Sequence, residues 1–466
     1  MAFMTVYFPI WIKALHLAWP VMLNHIFSTA MRTTDMVLMG FFGPAAVAAV
    51  GLGDVWESIV LQIGLGLGTG SISLISQESG IKSRLAEENK NIILSQVMYV
   101  GFLIGIPFIV VGFLMSEQLI SVLGAAPEVV KLGAQYLLII FAAAPFRITG
   151  MIAARALQGS GDTRTPMVIE VISNFLNIVI SVVLALGIGP FPGIGIIGVG
   201  IGTFAAKIFA VFIYFFRFLS SKSKFTIKNP IKYWDFTIIK QLFKVSMPKI
   251  TQGLYQSFIT FPLNSLVLLF GTEAAAAYHI ARRVHHQLIA PMHRSYYTVT
   301  TIMNGNNLGA GRVEESKRTV EAMLILTIVS IGMFSIGIFF TAPFLVRFFS
   351  SDAETIRSAV LFLRALSVGG PAITCYGVLA GHLNGAGNTR SSLYGNLFSQ
   401  TFFKLGLAYF LAVVMDFGIT GILISIPLDF LIRALWVGRK YLSDDWIEEA
   451  DVMIKERRVK TADRSC

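Results

Sequence analysis

The chain has 466 residues, of which 55% are hydrophobic and 14% are charged, and its formal net charge is +11. A composition this apolar excludes an ordinary water-soluble domain, in which about a quarter of the residues are charged. The two cysteines, Cys375 and Cys466, are too few for a disulfide framework or a thiolate metal site. The composition therefore indicates an integral membrane protein.

Apolar segments recur along the whole chain, and each is long enough to cross about 30 Å of hydrocarbon as a helix. They lie at 13–40, 46–76, 91–115, 129–154, 166–189, 194–219, 244–270, 274–303, 319–346, 355–384, 391–414 and 418–438. Twelve transmembrane helices are therefore predicted. The segment 274–303 is unusually charged and is included because its counterpart in the first half, 46–76, is plainly apolar.

The second half of the chain repeats the order of the first about 226 residues later. Pro20 pairs with Pro248, and the sequence ALQGSGDTR at 156–164 pairs with HLNGAGNTR at 382–390. Such a repeat predicts an all-α integral membrane fold with two homologous six-helix bundles around a central cleft, the architecture of a secondary transporter. The predicted division is an N-terminal lobe at 1–219, a cytoplasmic or interfacial linker at 220–243, a C-terminal lobe at 244–440 and a cytoplasmic tail at 441–466.

Basic residues are unevenly distributed between the two sets of loops. The loops on the side of the termini contain most of them, including Lys82, Arg164 and Arg390, whereas the opposite side has few, such as Lys131. Because basic loops stay in the cytoplasm, we expect a multi-pass protein of the cell membrane with both termini cytoplasmic. Contact with anionic membrane lipid accounts for the net charge, so no nucleic-acid partner is predicted.

The linker contains apolar residues at amphipathic spacing among lysines. Ile231, Trp234, Ile238 and Leu242 are the residues that form this pattern. The pattern predicts a surface helix in the inner-leaflet interface.

Several motifs together resemble the multidrug and toxic compound extrusion (MATE) family over essentially the whole chain. They are Pro20 followed by Asp35 and AVAAVGLG, ARALQGSGDTRTPM at 154–167, LNIVIS at 176–181, MPKITQG at 247–253 and MNGNNLGAGR at 303–312. The resemblance implies two bundles of six helices enclosing a cleft that opens alternately outward and inward. It also implies export of amphipathic compounds in exchange for H⁺ or Na⁺.

The glycine-rich loop GSGDTRTP at 159–166 predicts a tight turn before the next helix, with Asp162 or Thr163 capping exposed amides. Two interpretations of this loop stay open. It is either a plain turn without substrate contact or a gate that closes on its repeat partner GAGNTR.

Asp35 is the main candidate for ion coupling, since a carboxylate deep within the first span is costly unless it has a function. The alternative is a static partner for Arg32, one turn earlier. The family resemblance implies that Tyr136, Asn177 and Thr203 surround this aspartate in the N-terminal lobe.

The chain also departs from the family at positions where relatives carry acids. Ser181, Gln256 and Ile373 stand at those positions, and Gln256 is assigned to the substrate cleft. A single carboxylate among neutral oxygens favours a proton switch, so H⁺ coupling is predicted and Na⁺ coupling stays the alternative. No other cofactor is predicted. The remaining acids of the spans, Asp54, Glu57 and Asp429, are interpreted as structural, the last beside Arg433.

The eighth span is rich in basic residues. His279, Arg283, His286 and Arg294 recur at helical spacing, so they are predicted to line the cleft while Ile280, Val284, Leu288 and Ile289 face outward. Lys207, Lys249 and Lys404 add to this positive interior. The alternative is that the arginines pair with neighbouring helices. A metal site is not predicted, because no acid or cysteine accompanies the histidines.

Phe27, Phe258 and Phe261 are predicted as apolar residues of the cleft, in the first and seventh spans.

Three functions are weighed. The first is an ion-coupled antiporter for small molecules, and the second is a flippase for lipid-linked saccharides or peptidoglycan-type precursors. The third, an enzyme or receptor, lacks paired catalytic acids and a nucleotide loop, so no enzyme activity is predicted. Small molecules and membrane lipid are the expected partners, and the oligomeric state is not predicted.

Overall fold

The computed structural model describes residues 2–220 and 225–465. The helices are α1 (Ala2–Gly40), α2 (Pro44–Gly80), α3 (Arg84–Ser121), α4 (Pro127–Ala142), α5 (Ala144–Gly159), α6 (Arg164–Leu186), α7 (Ile196–Leu219), α8 (Phe236–Leu268), α9 (Thr272–Leu288), α10 (Ala290–Gly309), α11 (Val313–Arg347), α12 (Ala353–Gly385), α13 (Arg390–Ser399), α14 (Ile419–Leu442) and α15 (Asp445–Ser465). After α13 the same span continues in π-helical geometry over Gln400–Leu407 and Phe410–Val414.

The helices follow the twelve predicted spans in order, and two of the spans are broken. The span at 129–154 is the pair α4 and α5, bent by 46°. The span at 274–303 is the pair α9 and α10, with Ile289 between them and Pro291 in the first turn of α10. Proline explains this break, because it has no amide hydrogen to donate and its ring clashes with the preceding turn.

Nine single helices within the described residues are long and apolar enough to cross a membrane, and the bent pair α4 and α5 is a tenth span. Neither α8 nor the pair α9 and α10 meets that criterion. Neutral polar residues such as Gln252, Gln256 and Asn264 lower the hydropathy of α8, and arginines and histidines lower that of α9 and α10. Their repeat counterparts, α1 and α2, do meet it. The repeat therefore supplies the two remaining crossings.

The chain forms two compact units. Unit 1 comprises Met1–Met22, Gly80–Lys82 and Thr251–Val459, and unit 2 comprises Leu23–Ser79 and Ser83–Ile250 with the chain end after Val459. The chain therefore passes from one unit to the other within α1 and again within α8, besides the short stretch Gly80–Lys82 and the chain end. This grouping differs from the predicted division at 219 and 244, which follows the order of the chain, and those boundaries stay a prediction.

The predicted surface helix of the linker is wrong. Residues 225–235 form no helix, and the Asn229 side chain closes a turn by accepting hydrogen bonds from the amides of Ile231 and Lys232. Ile238 and Leu242 belong instead to the first turns of α8, where both side chains are buried. Residues 221–224 of the linker lie outside the described residues, as does Cys466.

The glycine-rich loops of both repeats form the same capped turn. The Asp162 carboxylate accepts a hydrogen bond from the Thr165 amide at 2.9 Å, and Asn388 accepts one from the Ser391 amide at 3.1 Å. Gly161, before Asp162, has a φ of +88°, which favours glycine. The predicted capping by Asp162 is confirmed, and the interpretation of this loop as a gate stays a prediction.

The segment after α14 folds as α15 in unit 1. Trp446 at its start is fully buried, and its ring lies 4.3 Å from the ring of His382, edge to face. The first turn of α15 therefore packs against the end of α12.

Candidate functional site

Asp35 lies in the part of α1 that belongs to unit 2, and its side chain is half-buried. Its buried Oδ1 atom accepts no hydrogen bond within the described residues. Arg32 does not lie within the 4.0 Å that defines an ion pair, so the alternative of a fixed Arg32–Asp35 pair finds no support in the geometry. A buried carboxylate oxygen without a hydrogen-bond donor is an unusual and costly arrangement for an ionised group.

Asn177 on α6 and Thr203 on α7 form a buried hydrogen bond in the same unit. The Asn177 amide nitrogen donates to the Thr203 hydroxyl oxygen at 3.0 Å, and the Asn177 carbonyl oxygen has no donor among the described residues. A free amide oxygen can accept a hydrogen bond from a protonated carboxyl group. Tyr136 is buried in a core cluster with Leu38 and Met39, the residues that follow Asp35 in the next turn of α1.

Further polar contacts continue along the same faces of α6 and α7. The Ser173 hydroxyl donates to the Ala206 carbonyl at 2.8 Å. Glu170 then receives two groups from α7: the Lys207 ammonium at 3.7 Å and the Tyr214 hydroxyl at 3.4 Å. We call the three successive contacts, from Asn177–Thr203 through Ser173–Ala206 to the Glu170 group, the polar ladder.

The sequence explains why the three contacts of the polar ladder follow one another along the two helices. On α6 its members are three and four residues apart, so they share one helix face. Phe175 and Phe216, on other faces of the two helices, are exposed as lipid-facing side chains would be. Gly202 allows the helices to touch, because a Cβ atom there would lie 3.0 Å from the backbone carbonyl oxygen of Asn177 and closer still to Ser181.

Sequence analysis missed Glu170, although its position seven residues before Asn177 was a usable signal. It also assigned Lys207 to a general positive interior. The structure instead places Lys207 beside Glu170, with 16–17% of each side chain exposed. Glu57, interpreted as structural, does pair with a buried partner, Arg147 of α5.

In unit 1 the basic residues of α9 and α10 are on the surface of the unit. His279, Arg283, His286 and Arg294 are all exposed, and an Arg294 guanidinium nitrogen lies 3.2 Å from a ring nitrogen of His286. No carboxylate within the described part of the chain lies within 4.0 Å of Arg283. The row of basic side chains therefore faces away from the core of unit 1.

The predicted outward orientation of the apolar side of this span is wrong. Val284 and Ile289 are buried in the core cluster of unit 1, and Ile280 and Leu288 pack against that cluster. The physical reason is amphipathicity: this helix pair is the most polar of the spans, so its apolar side is needed for the core of the unit.

The remaining cleft candidates have exposed side chains. Gln256, Phe258 and Phe261 are exposed on α8 in unit 1, and Phe27 is exposed on α1 in unit 2. Exposure is compatible with either a cleft or a lipid contact, so these assignments stay predictions.

Unit 1 contains a closed ion pair that corresponds to no coupling candidate. Asp429 and Arg433, one turn apart on α14, are both buried and paired, and an additional Arg433 nitrogen donates to Asp429 Oδ1 at 2.8 Å. The Ser399 hydroxyl lies 2.8 Å from the same Oδ1 atom and 2.8 Å from the Asp429 carbonyl. The structural interpretation of Asp429 is therefore supported by its contacts.

Comparisons with known proteins place this architecture among membrane transporters. A solved MOP superfamily transporter from Pyrococcus furiosus, described as having a binding pocket of reverse polarity, matches with a TM-score of 0.82 at 21% identity. The match covers 97% of this chain and 95% of that one. The predicted fold class, twelve transmembrane helices in two six-helix bundles, is confirmed.

Two sequence relatives cover nearly the whole chain. Probable multidrug resistance protein YoeA of Bacillus subtilis (strain 168) is 25% identical over 434 residues, which are 90% of this chain and 88% of that protein. The FAD transporter of Shewanella oneidensis is 22% identical over 432 residues, 92% of this chain and 93% of that protein. The class of the protein is thus a multi-pass membrane transporter.

The MatE family model matches residues 20–183 and 248–410, one stretch in each repeat. The chain belongs to the MatE family of multidrug efflux transporters, as its motifs predicted.

Proposed function

We propose that this protein is a proton-coupled antiporter that exports amphipathic small molecules across the cell membrane by alternating access, with both termini in the cytoplasm. The observation that carries the proposal is the buried Asp35 oxygen without a donor, in the same unit as the Asn177 carbonyl oxygen that also lacks one. A protonated Asp35 would supply the missing hydrogen. An ionised Asp35 would need a different environment, so protonation favours one packing of α1 over another.

The experiment is transport into inside-out vesicles by the Asp35→Asn variant. Ethidium and carboxyfluorescein, one cationic and one anionic dye, are offered under an imposed proton gradient. We expect proton-driven uptake to be lost, because asparagine cannot bind or release a proton at this position. Asp416→Asn is the matched control, since Asp416 is exposed in unit 1 and asparagine tolerates its positive φ of 55°.

Two results would overturn the proposal. The first is equal proton-driven uptake by wild type and Asp35→Asn. The second is that wild-type protein transports neither dye under a proton gradient although it is folded and inserted.

A preference for anionic substrates is the finer proposal. It rests on the exposed row of His279, Arg283, His286 and Arg294. Two relatives are described in compatible words, one as an FAD transporter and one by a binding pocket of reverse polarity. Opposite charges in a poorly hydrated site attract strongly, so such a row favours anions over cations.

The same row favours a second candidate function, a flippase for lipid-linked saccharides or peptidoglycan-type precursors, which carry phosphate. A vesicle assay with a fluorescent lipid diphosphate, run beside the two soluble dyes, separates the functions. Movement of the lipid without the dyes would favour the flippase, and movement of the dyes alone would favour the antiporter.

A further inference from the structure

The polar ladder extends along α6 and α7 in the unit that contains Asp35. Glu170 lies seven residues before Asn177 on α6, about 10 Å nearer the start of that helix at Arg164. Tyr214, the last member on α7, is fully buried and lies five residues before the helix end at Leu219. The ladder therefore runs within unit 2 toward the membrane side that holds the termini.

The Glu170 group has the composition of a proton-transfer site. It combines a carboxylate, an ammonium on a flexible side chain and a phenol hydroxyl, each within 3.7 Å of the carboxylate. The carboxylate and ammonium meet at 3.7 Å rather than in close contact, so the pair is not locked by a short hydrogen bond. Lysine, unlike arginine, can lose its proton in a poorly hydrated environment.

The charged groups around this site also connect it to Asp35. Lys207 is one of the charges that act on Asp35, and Asp162 of the capped turn is one of those that act on Tyr214. The charged groups acting on the ladder or on Asp35 from the surrounding helices are Arg32 of α1, Asp54 of α2 and Arg147 of α5.

We propose that the polar ladder is the route by which a proton bound at Asp35 leaves toward the terminal side, with Lys207 as the carrier and Glu170 as the acceptor. The proposal rests on the proposed proton coupling at Asp35. It adds that release to the cytoplasm needs a second carboxylate inside the same unit. The exporting cleft then does not have to conduct the proton out.

The transfer is balanced in protons and charge. The Lys207 ammonium gives a proton to the Glu170 carboxylate, which leaves a neutral amine and a carboxylic acid. The amine takes the proton of the Asp35 carboxyl group, and Glu170 releases its own proton to water at the end of the ladder. At the end Asp35 is ionised, the Lys207–Glu170 pair is restored, and one proton has left.

The test compares two measurements on purified protein carrying Glu170→Gln. The first is the rate of ethidium and carboxyfluorescein transport in proteoliposomes driven by a proton gradient. We expect this rate to fall at least about tenfold, as for loss of a general acid–base group. The second is the pH dependence of dye binding in detergent, which we expect to be unchanged because it depends on Asp35 and not on the release route.

Glu128→Gln is the matched control, because Glu128 is an exposed glutamate of the same unit at the start of α4. Glu170→Asp should restore part of the rate, since it keeps an ionisable group with a shorter reach. If Glu170→Gln folds poorly, Glu170→Gln combined with Lys207→Gln removes the unpaired cation, and the same slow transport with normal dye binding is expected.

Three outcomes would overturn the ladder and are distinct from failure of the antiport itself. Proton-driven transport by Glu170→Gln at the wild-type rate would show that the proton leaves by another route. Loss of the pH dependence of dye binding in this variant would make Glu170 the exchange site itself. A Glu170→Asp variant as slow as Glu170→Gln would mean that the size of the side chain, not its proton, matters.

Discussion

The last two helices of each repeat pack in the same way, but their charged side chains are paired differently. In unit 2 the Ser173 hydroxyl of α6 donates to the Ala206 carbonyl of α7, and in unit 1 the Ser399 hydroxyl of α13 lies at the same 2.8 Å from the Asp429 carbonyl of α14. The two serines are 226 residues apart. The shared contact shows that both helix pairs are packed in the same register.

The charges in the two helix pairs differ in where they are anchored. Asp429 and Arg433 belong to one helix, are 0% and 3% exposed, and are held by several hydrogen bonds. Glu170 and Lys207 belong to two helices and meet only at 3.7 Å. The first pair fixes a structure, whereas the second can exchange partners or protons without breaking a helix. The two repeats therefore hold their buried charges in different ways, and only the pair in unit 2 suits the proposed coupling.

Removing the anion of the closed pair should have the largest effect on folding. Asp429→Asn leaves Arg433 buried without a counter-charge, so we expect a loss of about 3–5 kcal/mol in stability and a low yield of folded protein. Thermal unfolding in detergent measures this loss of stability. Asp429→Asn combined with Arg433→Gln should recover much of the loss. If Glu170→Gln destabilised the protein as much, the contrast between the two pairs would be wrong.

A substitution in the row of basic side chains on α9 and α10 should change which dye is preferred without changing the proposed proton coupling. Arg283→Gln is expected to weaken export of carboxyfluorescein several-fold relative to ethidium. The substitution removes a positive charge that attracts the anionic dye and repels the cationic one. Export of both dyes is measured beside the yield of extracted protein, with Arg347→Gln at the exposed end of α11 as control. A uniform loss with reduced yield would make Arg283 a structural partner.

The smallest effect is expected from sodium. Ser181, Gln256 and Ile373 are neutral, and the carboxylate of Asp429 in unit 1 is already paired. Sodium usually needs carboxylate oxygens to offset its dehydration, so a sodium gradient alone should drive no transport in proton-leaky vesicles. Uptake driven by sodium alone would mean that the neutral positions were misjudged.

The order of the helices could be predicted because every span has a counterpart in the other repeat that supports its assignment. The charged segment at 274–303 was assigned in this way, and its break was not, because hydropathy does not report a single proline such as Pro291. The prediction of a surface helix in the linker was wrong for a related reason. Its spacing mixes Ile231, in a turn, with Ile238 and Leu242, which belong to α8.

The site was predictable only in part. The hydrogen bond between Asn177 and Thr203 joins two positions that the family resemblance had placed near Asp35, but the structure alone shows that Asn177 keeps an oxygen without a donor. The contact between Glu170 and Lys207 depends on how α6 and α7 are aligned. A single sequence does not show this alignment, because it depends on how closely the two helices approach each other at Gly202.

The break between α9 and α10 has a consequence for hydration. Pro291 has no hydrogen to give to the backbone oxygen of Gln287, one turn earlier, at a depth where the bilayer offers no donor. Irregular backbone is tolerated at such a depth only where protein groups or water replace the missing bond. We therefore expect water or a protein group at this kink, and this part of the span should exchange its amide hydrogens with solvent faster than the unbroken α2.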